Sequence, residues 1–157
     1  MKIKQRQSQN IEIIDANIDC IDRLMEMYLS CFTYTYSCSF FKDILDGGCG
    51  FCYILRCSNN DCGFICGCFV YDEIHILNIC ILEKYRGRGF ASFLLGKVFG
   101  LAVDKGVRSV ILEVSVENPS AIRLYEKNGF KRIGLRRGYY RDREKTIDAY
   151  VYEMSVL

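Results

Sequence analysis

From Ile11 to Ala16 the chain is extended and mostly apolar, and then Ile18, Ile21, Leu24, Met25 and Tyr28 fall at helical spacing. This predicts a strand and then a helix running to about Leu29, capped by Asn17 or Asp19. An aromatic loop, Phe32-Thr-Tyr-Thr-Tyr36, leads to a short helix over Phe40 to Leu45, which Ser39 can cap and Gly47-Gly48 stop. Phe51 to Arg56 and Phe64 to Tyr71 read as a strand hairpin around the polar turn Ser58-Asn-Asn-Asp61. Asp72-Glu73 then turns the chain into a third strand, Ile74 to Leu82, completing an antiparallel meander.

In the second half the period lengthens again. Phe90, Phe93, Leu94, Val98, Leu101 and Ala102 form one helical stripe that ends at Lys105-Gly106. Ser109 to Val116 is β-branched and predicts a strand parallel to Ile74 to Leu82, because strand, helix, strand crossovers pair that way. Asn118 as cap and Pro119 at the first helical position open another helix, which ends at Asn128-Gly129. Phe130 to Leu135 and Ala149 to Val156 complete the set as a hairpin around a loop from Arg137 to Asp148. The expected fold is α/β (α+β), β-α-α-β-β-β-α-β-α-β-β, with a mixed, mostly antiparallel seven-stranded sheet and helices on both faces. A chain of 157 residues suits one core, so a single domain over 1–157 is expected, with 1–9 frayed.

Composition narrows the function classes. No apolar run reaches the roughly 18 residues of a membrane span, and MKIKQRQSQN lacks the apolar core of a secretory signal. A cytoplasmic protein with no membrane contact is expected. Net charge is +2, but acidic residues exceed basic by four up to His75, and basic exceed acidic by six from Ile76 onward. That excess surrounds a glycine turn and suits an anionic cofactor better than a nucleic acid, whose footprint is a whole basic face.

All ten cysteines lie between Cys20 and Cys80. Cys49-Gly-Phe-Cys52 is a CxxC, but the next pair, Cys66-Gly-Cys68, lacks zinc-ribbon spacing, and His75 is the sole histidine. The cysteines read as free, small buried hydrophobes in a reducing compartment, with no metal site; metal or redox chemistry is the alternative.

Chemistry concentrates at Tyr85-Arg86-Gly87-Arg88-Gly89-Phe90-Ala91, between a strand and a helix. Two glycines allow a tight turn that leaves the first helical amides aimed at one point, a cradle for phosphate. Arg86 and Arg88 add positive charge. The pattern is neither the GxxxxGK[ST] of nucleotide hydrolases nor a dinucleotide-binding GxGxxG near a chain start.

The element order together with Arg86-x-x-Gly89-x-Ala91 resembles the acetyl-CoA-dependent N-acetyltransferase (GNAT) superfamily. Leu112-Glu-Val-Ser-Val-Glu-Asn118, Ala121-Ile-Arg-Leu-Tyr125, Asn128-Gly-Phe130, Tyr139-Tyr140 and Asp148-Ala149 are similar to ribosomal-protein alanine N-acetyltransferases and archaeal N-terminal acetyltransferases. Upstream, Phe32-x-x-x-Tyr36 followed by Phe40 to Leu45 resembles the loop and helix of eukaryotic enzymes that act on an initiator methionine. Those enzymes carry Pro where this chain has Thr33.

The resemblance implies acetyl-CoA as cofactor, with the amides of Gly87, Arg88, Gly89, Phe90, Ala91 and Ser92, after Arg86, around its pyrophosphate. It implies that the backbone of Ile79, Cys80 and Ile81 pairs with the pantetheine arm, and that Asn118 touches the same arm. Glu113 matches a general base and Tyr125 the acid that protonates the leaving thiolate. Tyr139 and Tyr140, with Phe32 and Tyr36, match residues that enclose the acceptor. Methionine-acting enzymes carry Tyr at the position of His75 and His at that of Glu113, so the base could be Glu113, His75, or both through a water.

The residues also allow plainer readings. Glu113 interrupts an apolar strand, where an unpaired charge is costly, and this favours a functional role. Tyr125 at helical spacing could be core, His75 a satisfied sheet histidine, and one of the tyrosine pair mere packing. The implied activity is acetyl transfer to protein N-terminal α-amines, with the ribosome or an auxiliary subunit as conceivable partners. A small-amine or lysine acetyltransferase and a non-catalytic CoA- or metal-binding module are the rivals.

Overall fold

A computed structural model describes residues 10–33, 37–142 and 144–157. The expected fraying of 1–9 and the position of Tyr36 lie outside these residues. Strands β1 (Ile11–Asp15), β2 (Gly50–Cys57), β3 (Asn60–Val70), β4 (Glu73–Ile81), β5 (Ser109–Ser115), β6 (Lys131–Asp142) and β7 (Lys145–Ser155) form one sheet in the order β1-β2-β3-β4-β5-β7-β6. Every neighbouring pair is antiparallel except β4 with β5, which is parallel as the crossover rule requires. Helices α1 (Ile21–Cys31) and α2 (Cys38–Asp46) cover one face, and α3 (Phe90–Lys105) and α4 (Pro119–Lys127) the other.

The period-two alternation of β2 feeds both cores. Phe51, Tyr53 and Leu55 pack on the α3/α4 side, whereas Cys52 and Ile54 pack against Leu24, Tyr28 and Phe41 of α1 and α2. A bulge in β4 changes this parity. Asn78 pairs with Cys66 and Ile76 with Gly67, leaving Leu77 as the extra residue. Ile74 and Ile76 therefore face α3 before the bulge, and Ile79 and Ile81 do so after it.

Several boundaries differ from expectation. Asn17 caps the first helical turn by accepting from the Asp19 amide at 3.0 Å. Helix α2 begins at Cys38, with Ser37 rather than Ser39 at its cap position. The first hairpin turns on Ser58 and Asn59 alone, with φ of 50° and 68°. That frees Asp61 to accept from Arg23 at 2.6 and 2.8 Å, tying the hairpin to α1. Helix α3 is apolar all round rather than striped: Phe93 is 49% exposed, and Leu95 joins the core in its place. The expected loop from Arg137 to Asp148 is strand almost throughout, since β6 runs to Asp142 and β7 starts at Lys145. Hairpin pairing with β7 overrode the polar, arginine-rich composition of that segment.

The cysteines also bring a correction. Cys31, at the end of α1, and Cys80, on β4, form a disulfide, so not all ten thiols are free. Cys20, Cys52, Cys57, Cys62 and Cys66 are buried as small hydrophobes, as expected, whereas Cys38 and Cys49 are exposed and Cys68 is half-buried, against that expectation. Burial pushes the Cys62 thiol up to about 11, and a hydrogen bond with the facing Cys66 pushes Cys52 up as well.

Candidate active site

Parallel pairing of β4 and β5 stops at Ile76 and Leu112. Beyond that rung β4 stays paired with β3 as far as Ile81, while β5 stays paired with β7 as far as Ser115. The two strands therefore part where the bulge bends β4, and a cleft of about 590 Å3 opens between them. Leu77, Asn78 and Ile79 line one side and Glu113, Val114 and Ser115 the other. Tyr28, Phe32 and Phe40 come from α1, α2 and the segment between them; Tyr139, Tyr140, Arg141 and Ile147 come from the last two strands.

Glu113 keeps its side chain only 10% exposed, with Arg136 Nη2 3.4 Å from Oε1. A largely buried carboxylate with one cation beside it can accept a proton from a group in the cleft. The hydroxyl of Tyr140 donates to the Glu113 carbonyl at 3.4 Å, and the rings of Tyr139 and Tyr140 meet edge to face at 4.9 Å. Both tyrosines are placed by a bulge that sets Arg137, Gly138 and Tyr139 against Asp148, between the register pairs Arg136–Ala149 and Tyr140–Ile147. Gly138 has φ of 59°, and its amide donates to Asp148 Oδ1 at 2.8 Å. Asp148 thus holds the kink that turns both rings.

The glycine turn lies at the far end of β4. Gly87 and Gly89 have φ of 74° and 82°, and a Cβ built on either meets no atom within 4 Å. The first helical bond of α3 runs from Phe93 to the Gly89 carbonyl, and among the described residues none accepts from the amides of Gly87 through Ser92. A run of successive unpaired amides at a helix N-terminus fits a pyrophosphate. The two arginines hold the turn itself: Arg86 Nε donates to the Ile81 carbonyl at 2.9 Å and Arg88 Nη2 to the Lys84 carbonyl at 3.1 Å. Ser92 is tied to α4 by Asn128 Nδ2, 3.0 Å from its Oγ.

The remaining candidates separate. Ile79 lines the cleft, but the Cys80 side chain is spent in the disulfide, leaving only its backbone for a ligand. Asn118 lines the cleft and also caps α4, its Oδ1 accepting from the Ala121 amide at 3.2 Å. Tyr125 is not part of the cleft lining: it is buried in the α3/α4 core against Phe130, and burial pushes its phenol up. Nor is His75, whose Nε2 lies 2.9 Å from Glu73 Oε2; Arg108 donates to the other Glu73 oxygen at 2.8 Å. The hydrogen bond with His75, and then that from Arg108, hold the Glu73 carboxyl below its usual range.

Reasoning from sequence missed Tyr28, Phe40, Arg136 and Arg141. Tyr28 and Phe40 carry the helical period of any core residue, Arg141 sat in a segment read as loop, and Arg136 sat at its edge.

The parted parallel strands, the carboxylate between them and the run of unpaired amides leave room for an extended anionic ligand beside Glu113. The sequence profile of the Acetyltransferase (GNAT) family matches residues 21–130, most of the chain. This protein therefore belongs to the GNAT acetyltransferase family. A [Ribosomal protein bS18]-alanine N-acetyltransferase of Haemophilus influenzae is 43% identical over 83 residues, 53% of this chain and 56% of the relative. An N-alpha-acetyltransferase of Saccharolobus solfataricus is 41% identical over 78 residues, 49% of this chain and 45% of the relative. The matches thus span about half the length of these curated relatives. The crystal structure of the ribosomal-protein-S18-alanine N-acetyltransferase from Escherichia coli superposes with a TM-score of 0.87 over 94% of each chain, at 23% identity, which shows a shared fold.

Proposed function

We propose that this chain acetylates the N-terminal α-amine of a polypeptide, using acetyl-CoA, by direct attack in a ternary complex. The observation that carries the reading is Glu113, a carboxylate facing a cleft whose other wall leads to the amides of Gly87 through Ser92. Acetyl-CoA supplies an activated thioester. Those amides bind its pyrophosphate, and the backbone of Ile79 to Ile81, with Asn118, orients the arm that follows.

Glu113 takes the proton of the attacking amine, directly or through a water. An α-amine with a pKa near 8 costs only about 1 kcal/mol to deprotonate at neutral pH, against about 5 kcal/mol for a lysine. One carboxylate is adequate for the first. The family resemblance gives Tyr125 the role of proton donor to the departing sulfur; its phenol lies in the α3/α4 core outside the cleft lining, so that role requires the thioester to reach past the cleft wall. His75, engaged with Glu73, is a structural residue in this reading. Tyr139 and Tyr140 enclose the acceptor's first residues, and the wall of Tyr28, Phe32 and Phe40 favours an apolar first side chain such as methionine.

The test supplies acetyl-CoA and peptides beginning with Met, Ala or Ser, each with one internal lysine, and locates the acetyl group by fragment mass spectrometry. Acetylation of the α-amine, fastest on Met, is expected. Acetylation of the lysine alone would refute the reading.

A further inference from the structure

The charged side chains that line the cleft are Glu113, Glu117 and Arg141. Two of them are already answered: Arg136 faces Glu113, and Lys145 Nζ lies 2.6 Å from Glu117 Oε1. Arg141 is exposed, and among the described residues it has neither an ion pair nor a side-chain hydrogen bond. It is nevertheless well placed. Its backbone pairs with Thr146, the rung after Tyr140–Ile147, and both Tyr140 and Ile147 line the same cleft. A strand, not a free loop, therefore sets where the guanidinium starts from.

The surroundings reinforce the sign. Strand β6 is the edge of the sheet and carries Lys131, Arg132, Arg136, Arg137 and Arg141 against the single acid Asp142. Its wall of the cleft is separated from β4, which leads to the amide cradle, by β5 and β7. At about 4.8 Å per strand that is roughly 14 Å, so this cation lies across the cleft from the proposed phosphate site. Beside Tyr139 and Tyr140, strand β6 exposes Arg137 as well as Arg141.

We infer that Arg141 is a specificity-determining residue that reads a carboxylate side chain among the acceptor residues directly following the first. This rests on the α-amine reading of the same site and names its substrate class: N-termini followed by Asp or Glu. A guanidinium presents a planar fork that matches a carboxylate, and the positive edge draws such a chain in.

The test measures kcat/KM for matched peptides that share a first residue and differ only in carrying Asp, Gln or Lys at positions two to four. The unaltered enzyme should prefer Asp over Gln by about fivefold, as a partly exposed ion pair provides, and Gln over Lys by a similar factor. Raising the salt concentration should shrink both ratios. Arg141→Gln should bring the Asp-to-Gln ratio to about one, and Arg141→Glu should invert it. Absence of any preference in the unaltered enzyme overturns the inference, whether or not the variants fold. So does an undiminished ratio in Arg141→Gln, or a change confined to the KM of acetyl-CoA. If the unaltered enzyme modifies no α-amine in any peptide, the acceptor reading itself falls and this inference falls with it.

Discussion

The glycine turn and the aromatic wall of the cleft are built on opposite principles. The turn is one run of adjacent residues, and what it offers a ligand is backbone: the amides of Gly87 through Ser92. The wall is collected from α1, α2, β6 and β7, and what it offers is side chains: Tyr28, Phe32, Phe40, Tyr139, Tyr140 and Arg141. A backbone cradle tolerates most substitutions that preserve its dihedral angles, whereas a wall assembled from distant elements depends on every contact that aims it. One half of the cleft can therefore stay constant while the other is retuned for a different acceptor.

The disulfide joins the two halves, because Cys31 ends the helix that bears Tyr28 and Cys80 lies on the strand that leads to the turn. It closes a separation of 49 residues, for which chain entropy gives about 4 kcal/mol. Reduction by a thiol, followed by denaturant unfolding, should reveal a loss of about 2–4 kcal/mol. Unchanged stability would mean that packing alone holds α1 on the sheet.

Glu113→Gln should lower kcat by about 10²-fold or more, the usual contribution of a general base, with acetyl-CoA binding retained. Loss of acetyl-CoA binding in that variant would blur the separation between the two halves. Gly89→Val forces a β-branched side chain into φ of 82° and should weaken acetyl-CoA binding by about tenfold, read by calorimetry. Equal affinity would show that the cradle does not depend on the left-handed turn.

The smallest effect concerns the start of β4, opposite the glycine turn and outside the cleft. Glu73 is held below its ordinary range, so the stability it contributes is complete above about pH 5 and is lost as the pH falls through about 4 and below. His75→Ala should flatten that acid slope while leaving turnover largely intact. A large loss of turnover would return His75 to the catalytic group.

Element order and type were legible because they follow from local period: two for the strands, 3.6 for the helices, with Asn118-Pro119 and Lys105-Gly106 as start and stop signals. The amide cradle was legible too, since Gly87, Gly89 and a helix start make it within a few residues. Glu113 stood out as a charge inside an apolar strand. The extra residue Leu77, the end of β4–β5 pairing at Ile76, the bulge at Gly138 and the disulfide partners were not legible, because each depends on the register between two segments, which the period of either one does not set. Arg141 followed the same course: composition alone placed it in a solvated loop, and pairing with β7 placed it in the wall of a cleft. The sequence by itself determined which elements form and where a phosphate could rest. Only the tertiary structure decided which side chains face one another across the cleft, because a one-residue slip in a strand sends every later side chain to the opposite face.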